Sequence, residues 1–129
     1  MLAIIALISG LYDLFVGAFL LLAPGALAAL FSVPPASPPI FSNLNALFLI
    51  AVGLGYWLPW RDPDRYRGYM WIMGPFLKGA GALAFLLDYW LRGSPASFLL
   101  FAASDGTLAV LTWWALTVEA TPAPDRHWR

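Results

Sequence analysis

The chain has 129 residues, is 61% hydrophobic and only 11% charged, and carries no net charge. A soluble domain has roughly 25% charged residues, and a chain this short has too little interior to hide so much apolar surface, so lipid is its natural solvent. A basic nucleic-acid surface is excluded, the absence of cysteine removes disulfides, thiolate metal sites and cysteine nucleophiles, and the only histidine, His127, lies in a polar tail.

Neither a metal nor a cofactor is therefore expected. Four apolar runs are long enough to span a bilayer, which needs about 20 residues per helix. They cover about residues 2–23, 40–60, 68–91 and 96–118. Their length and Leu/Ala content predict helices, since barrel strands would show alternating segments of about 10 residues. The expected fold is all-α: an integral membrane four-helix bundle with up-down topology.

The first run holds Asp13 near its middle. A cleavable signal peptide is the competing reading, because Ala26-Leu27-Ala28 resembles a cleavage site. The run lacks a basic flank, is too long and is broken by Asp13, so it is read as a retained span. Pro24-Gly25 ends it, and Ala26 to Phe31 suits a short interfacial helix. Pro34 to Pro39 reads as a stiff, extended link.

The second run carries Asn43 and Asn45 near its start, with Asn45 deep enough to hydrogen-bond between helices. Arg61 to Arg67 follows, the most polar segment of the body. The third run holds Pro75, expected to kink it, and Lys78 one turn later. Asp88 is expected to reach Arg92 or the interface. Arg92-Gly93-Ser94-Pro95 is a tight turn, so the third and fourth runs form an antiparallel hairpin. The fourth run contains Asp105, and residues 121–129 form a polar cytoplasmic tail.

Lysine and arginine counts predict orientation. Arg61, Arg65 and Arg67 share a side with Arg126 and Arg129, against Arg92 alone opposite. Both termini are expected in the cytoplasm of an inner-membrane protein. Trp57, Trp60, Tyr66, Tyr69 and Trp71 would mark that interface, and Tyr89 and Trp90 the other. Arg61, Arg65 and Arg67 are candidates for anionic lipid head groups, beside their role as the topology signal.

Asp13, Lys78 and Asp105 carry whatever chemistry the chain has. At 1.5 Å per residue each lies roughly 14–15 Å from a helix end, near the midplane, where an unpaired charge costs from about 2.5 to more than 10 kcal/mol. Ser9, Gly10 and Gly17 flank Asp13, and Gly74 and Gly81 flank Lys78, so both face small-residue stripes. One reading is a buried Lys78–Asp105 ion pair that sets helix register, with Asp13 joining it or neutral. The other is a binding or proton-relay site, because two carboxylates exceed one amine.

The run from Arg65-Tyr66-Arg67-Gly68-Tyr69-Met70-Trp71 to Lys78-Gly79-Ala80-Gly81-Ala82, and that from Arg92-Gly93-Ser94-Pro95 to Ala103-Ser104-Asp105-Gly106, resemble small uncharacterised four-span bacterial inner-membrane proteins. The resemblance implies a bundle and an inner-membrane location, and brings no activity.

Two functions follow from these residues. One is a non-enzymatic accessory or scaffold protein, packing on a membrane partner or on a second copy. The alternative is a binder or carrier of a small or lipid-like molecule, proton-coupled or not, through Asp13, Lys78, Asp105 and Asn45. An enzyme acting on lipids comes third, since its chemistry would rest on the three charges alone.

Overall fold

The computed structural model describes residues 1–119. The polar tail expected at 121–129 lies outside the described residues. The fold is the expected all-α, up-down bundle, with a short helix after the first long one. Helix α1 is Leu2–Leu22, α2 is Pro24–Leu30, α3 is Ile40–Gly55 and α4 is Trp57–Arg61. Helix α5 is Arg67–Trp71 and runs through a π-helical segment, Ile72–Lys78, into α6, Gly79–Arg92. A 3₁₀ turn at Ala96–Phe98 leads into α7, Leu99–Val118. Joined end to end, these form four helices long and apolar enough to cross a membrane: Leu2–Leu22, Ile40–Arg61, Arg67–Arg92 and Ala96–Val118.

Glycine explains why α1 and α3 lie so close. A Cβ added to Gly10 would come within 2.9 Å of Tyr56 Cβ and 3.0 Å of the Gly53 carbonyl oxygen. A Cβ on Gly17 would sit 2.9 Å from the Ala46 carbonyl oxygen. Gly10 and Gly17 are seven residues apart, as are Ala46 and Gly53, so one antiparallel register holds over two turns. Such backbone contact is how helices associate in lipid, where the hydrophobic effect no longer drives them together.

The second pair is α6 with α7. Gly106 packs on Ala82, and Gly79 on Ala109. Lower down, Gly74 of the π-segment packs so tightly on Thr112 that a Cβ would lie 2.5 Å from its methyl. Gly93 closes α6 in the left-handed conformation, φ 67°, a C-terminal position that suits glycine. Asp88 takes Arg92 at 3.1 Å, as expected.

The two pairs meet firmly at one end only. There Leu2, Ile5, Ala6, Val52, Tyr56, Met70, Ala115 and Leu116 form the buried core. The Tyr69 hydroxyl donates to the Val52 carbonyl at 2.5 Å. Arg67 Nη2 donates to the Leu116 carbonyl at 2.6 Å, satisfying an acceptor that the last turn of a helix leaves open. Glu119 accepts the Leu2 backbone N–H at 3.0 Å, tying the start of α1 to the end of α7. At the other end α1 and α3 stay paired, α6 and α7 stay paired, and α3 and α6 stand apart.

Large apolar side chains cover the outside: Phe15, Phe41 and Phe76 are each more than 70% exposed. In water a belt of this kind would drive association, whereas in a bilayer it faces acyl chains. The chain is thus a multi-pass membrane protein.

Replacing Gly10 or Gly53 by leucine is expected to destabilise the bundle by about 1–3 kcal/mol or more through overpacking. Gly25→Leu, where no atom lies within 4 Å of the added Cβ, is the matched control. Thermal unfolding in mild detergent measures the difference.

Candidate functional site

The gap between the two helix pairs is a cavity of about 650 Å³. Its floor is polar and its walls are apolar. Asp13 and Tyr12 of α1, Lys78 at the end of the π-segment and Asp105 of α7 form the floor. Leu20, Leu27, Phe48, Leu49, Phe85 and Phe101 are among the wall residues. Helix α2 and the link after it, through Val33, Pro34 and Ala36, cover the far end.

Phe31 anchors that cover. Its ring stacks on Phe98 and Phe101, with centroids 5.7 and 4.7 Å away. Its carbonyl accepts a hydrogen bond from Ser97 Oγ at 2.8 Å. Phe85 joins the same cluster against Phe98 and Phe101.

The floor is built around one ion pair. Lys78 Nζ donates to Asp13 Oδ1 at 2.7 Å, with the side chains 5% and 2% exposed. The ammonium also lies 5.3 Å from the Tyr12 ring centroid and 5.9 Å from that of Tyr56. These are cation–π distances, and desolvation strengthens the attraction. Lys78 is thus held by one carboxylate and flanked by two aromatic rings. Asp13 Oδ2 is buried without a hydrogen-bond partner among the described residues.

The expected Lys78–Asp105 pair does not form. No cationic group lies within 4.0 Å of the Asp105 carboxylate among the described residues. Asp105 is half-buried at the edge of the cavity floor, beside Gly81. Lys78 instead closes a π-helical segment, Ile72–Lys78, that contains Pro75. Pro75 has no N–H and its ring crowds the carbonyl four residues back, so an ordinary α-turn is unfavourable there. The wider turn absorbs the proline, where a simple kink was expected. At the end of this segment Lys78 meets Asp13 of α1.

Sequence reasoning missed Tyr12, Tyr56 and Ser104. The Tyr12 hydroxyl lies 2.6 Å from Ser104 Oγ. Ser104 donates to the Phe101 carbonyl at 3.2 Å, so Tyr12 is the donor between them. A usable signal existed for Tyr12 and Ser104, the immediate sequence neighbours of Asp13 and Asp105, and none for Tyr56. Asn45 lines the cavity with Ser42 but forms no interhelical hydrogen bond among the described residues, contrary to expectation. Of the arginines, Arg67 is engaged by α7, whereas Arg61 and Arg65 are exposed and lie over Trp57 and Tyr66 at 5.3 and 5.6 Å. No cluster able to hold a metal ion occurs among the described residues.

Fold and site together define a four-span membrane protein with an apolar cavity floored by charge. No family model matches the chain, and no match is found among curated proteins or solved structures.

The pairing has a direct consequence for stability. Asp13→Asn leaves Lys78 without its carboxylate and is expected to cost about 3–5 kcal/mol, as breaking a buried ion pair does. Asp105→Asn should cost far less. The change that compensates Lys78→Met is Asp13→Leu rather than Asp105→Leu. Unfolding midpoints of the single and double variants in detergent check all three statements.

Proposed function

We propose that this protein binds an amphiphilic small molecule or single-chain lipid in the cavity, with the polar end of the ligand at the Asp13–Lys78–Asp105 floor. The carrying observation is the cavity itself. Its volume, about 650 Å³, falls in the usual range for drug-sized ligands, about 300–1,000 Å³. Apolar walls ending in a few convergent polar groups are the usual design of such a pocket. A bundle whose charges served only helix register would close over them, because packing is what holds helices together in lipid.

The accessory or scaffold function has less support. It rested on the shortage of chemistry, the small soluble parts and the Gly/Ala faces, and the glycines within the spans, Gly68 at a span end excepted, meet neighbours of this same chain. Gly10, Gly17 and Gly53 serve α1 and α3, Gly74, Gly79 and Gly106 serve the second pair, and Gly55 makes room for Tyr69. Among the described residues no glycine stripe is left over for a partner helix. A second copy or membrane partner would have to use the large apolar faces that acyl chains also suit.

Orientation belongs to the proposal as well. The arginine balance supports an inner-membrane location with both termini in the cytoplasm. On that reading Arg61 and Arg65 meet anionic head groups, and the covered end of the cavity, at α2 and the Pro34–Pro39 link, faces away from the cytoplasm. The chain has no native cysteine, so single cysteines report without background. An impermeant thiol reagent should modify Ser37→Cys and Ser94→Cys in intact cells and spare Asp64→Cys. Labelling of Asp64→Cys alone would reverse the orientation.

Photolabelling tests binding. A neutral long-chain alcohol bearing a diazirine, added to the protein in phosphatidylcholine nanodiscs, should form saturable adducts on cavity residues such as Phe31, Phe85 and Phe101. Gly81→Phe, which places a ring in the cavity, should abolish those adducts while the melting temperature confirms folding. Adducts confined to lipid-facing Phe15, Phe41 and Phe76, and unchanged by Gly81→Phe, would contradict the proposal.

A further inference from the structure

Accepting the binding role proposed above, we infer that the preferred ligand is a lipophilic organic cation and that Asp105 is its counter-ion. The argument begins with charge. The residues lining the cavity include two carboxylates, Asp13 and Asp105, and one ammonium, Lys78. Asp13 and Lys78 neutralise one another at 2.7 Å. Asp105 is left over, with no cationic group within 4.0 Å among the described residues. A carboxylate at this depth in a bilayer requires a compensating charge or proton.

Access separates the two possible signs of ligand. An anionic head group would need Lys78. That ammonium is only 5% exposed, is bonded to Asp13 and stands between the Tyr12 and Tyr56 rings. An anion would have to displace Asp13 and then lie beside two carboxylates. A cation meets the opposite situation. Asp105 is half-buried and borders the cavity, with Gly81 and the Tyr12 hydroxyl beside it.

The walls narrow the class further. Phe85 and Phe101 line the cavity close to the Asp105 helix face, and their rings are attractive to weakly hydrated cations. A small inorganic cation would leave most of the volume unfilled and keep its hydration shell. An alkylated or arylated onium ion fills apolar space and sheds water easily.

Two ions of nearly the same shape and opposite charge provide the test. Tetraphenylphosphonium and tetraphenylborate compete against the neutral diazirine alcohol, using the full chain in phosphatidylcholine nanodiscs, with empty nanodiscs as the correction for partitioning. Phosphonium should displace the cavity adducts at a concentration at least tenfold below that needed for borate. Asp105→Asn should bring the two half-displacing concentrations within about twofold of each other, each measured against labelling by the neutral alcohol in that same variant. Equal competition by the two ions, a preference for borate, or a phosphonium preference surviving in Asp105→Asn would each overturn the assignment while leaving the cavity as a binding site. Failure of the neutral alcohol to label the cavity at all would remove the binding role and the cation assignment with it.

Discussion

A lysine and an aspartate buried together in the middle of an apolar bundle constrain everything around them. Either charge alone at that depth would cost several kcal/mol. Bonded at 2.7 Å, each supplies what the other lacks. The bond demands that α1 and the third long helix come within side-chain reach at their midpoints. Close approach of α1 to α3 through Gly10, Gly17 and Gly53 fixes where Asp13 stands. Lys78 stands at the junction of the π-segment around Pro75 and the regular helix that follows it. Tyr12 and Tyr56 then shield the ammonium on two sides.

The pair also divides the molecule. On one side of it the bundle is filled by Leu2, Ile5, Val52, Tyr56, Met70 and Leu116, and its ends are tied by Glu119 and Arg67. On the other side the helix pairs separate, and α2 with Phe31 covers the space between them. Because the second helix never packs on the upper third helix, that half has nothing to fill it from within. The ion pair is thus the floor of the cavity and the ceiling of the core. Asp105, at the edge of the floor, is the charge that this division leaves without a partner.

The architecture was legible because its signals are long. Apolar runs of bilayer length, the Pro-rich link and the Arg92–Pro95 turn each correspond to an element or a connection in the fold. The three midplane charges were legible for the same reason, as interruptions of those runs. Their pairing was not. Counting residues from the turn gives depth along the helices and not the face on which a side chain lies, so it put Lys78 level with Asp105 without showing that Lys78 turns to Asp13 of α1. Tyr56 was not singled out in the sequence, although it is buried beside the ammonium. The cavity was invisible in sequence, because it arises from the angle between two helix pairs and no single residue encodes that angle.

Lys78 is the only lysine in the chain, so a lysine-specific label reports one site. Solid-state NMR of the protein in lipid bilayers, with ¹⁵Nζ-lysine and ¹³Cγ-aspartate, measures its distance to the nearest carboxylate directly. A strong nitrogen–carbon dipolar coupling is expected, lost in Asp13→Asn and retained in Asp105→Asn. Loss of the coupling in Asp105→Asn with retention in Asp13→Asn, or no coupling in the unmodified chain, would contradict the Asp13–Lys78 pair and the cavity floor built on it.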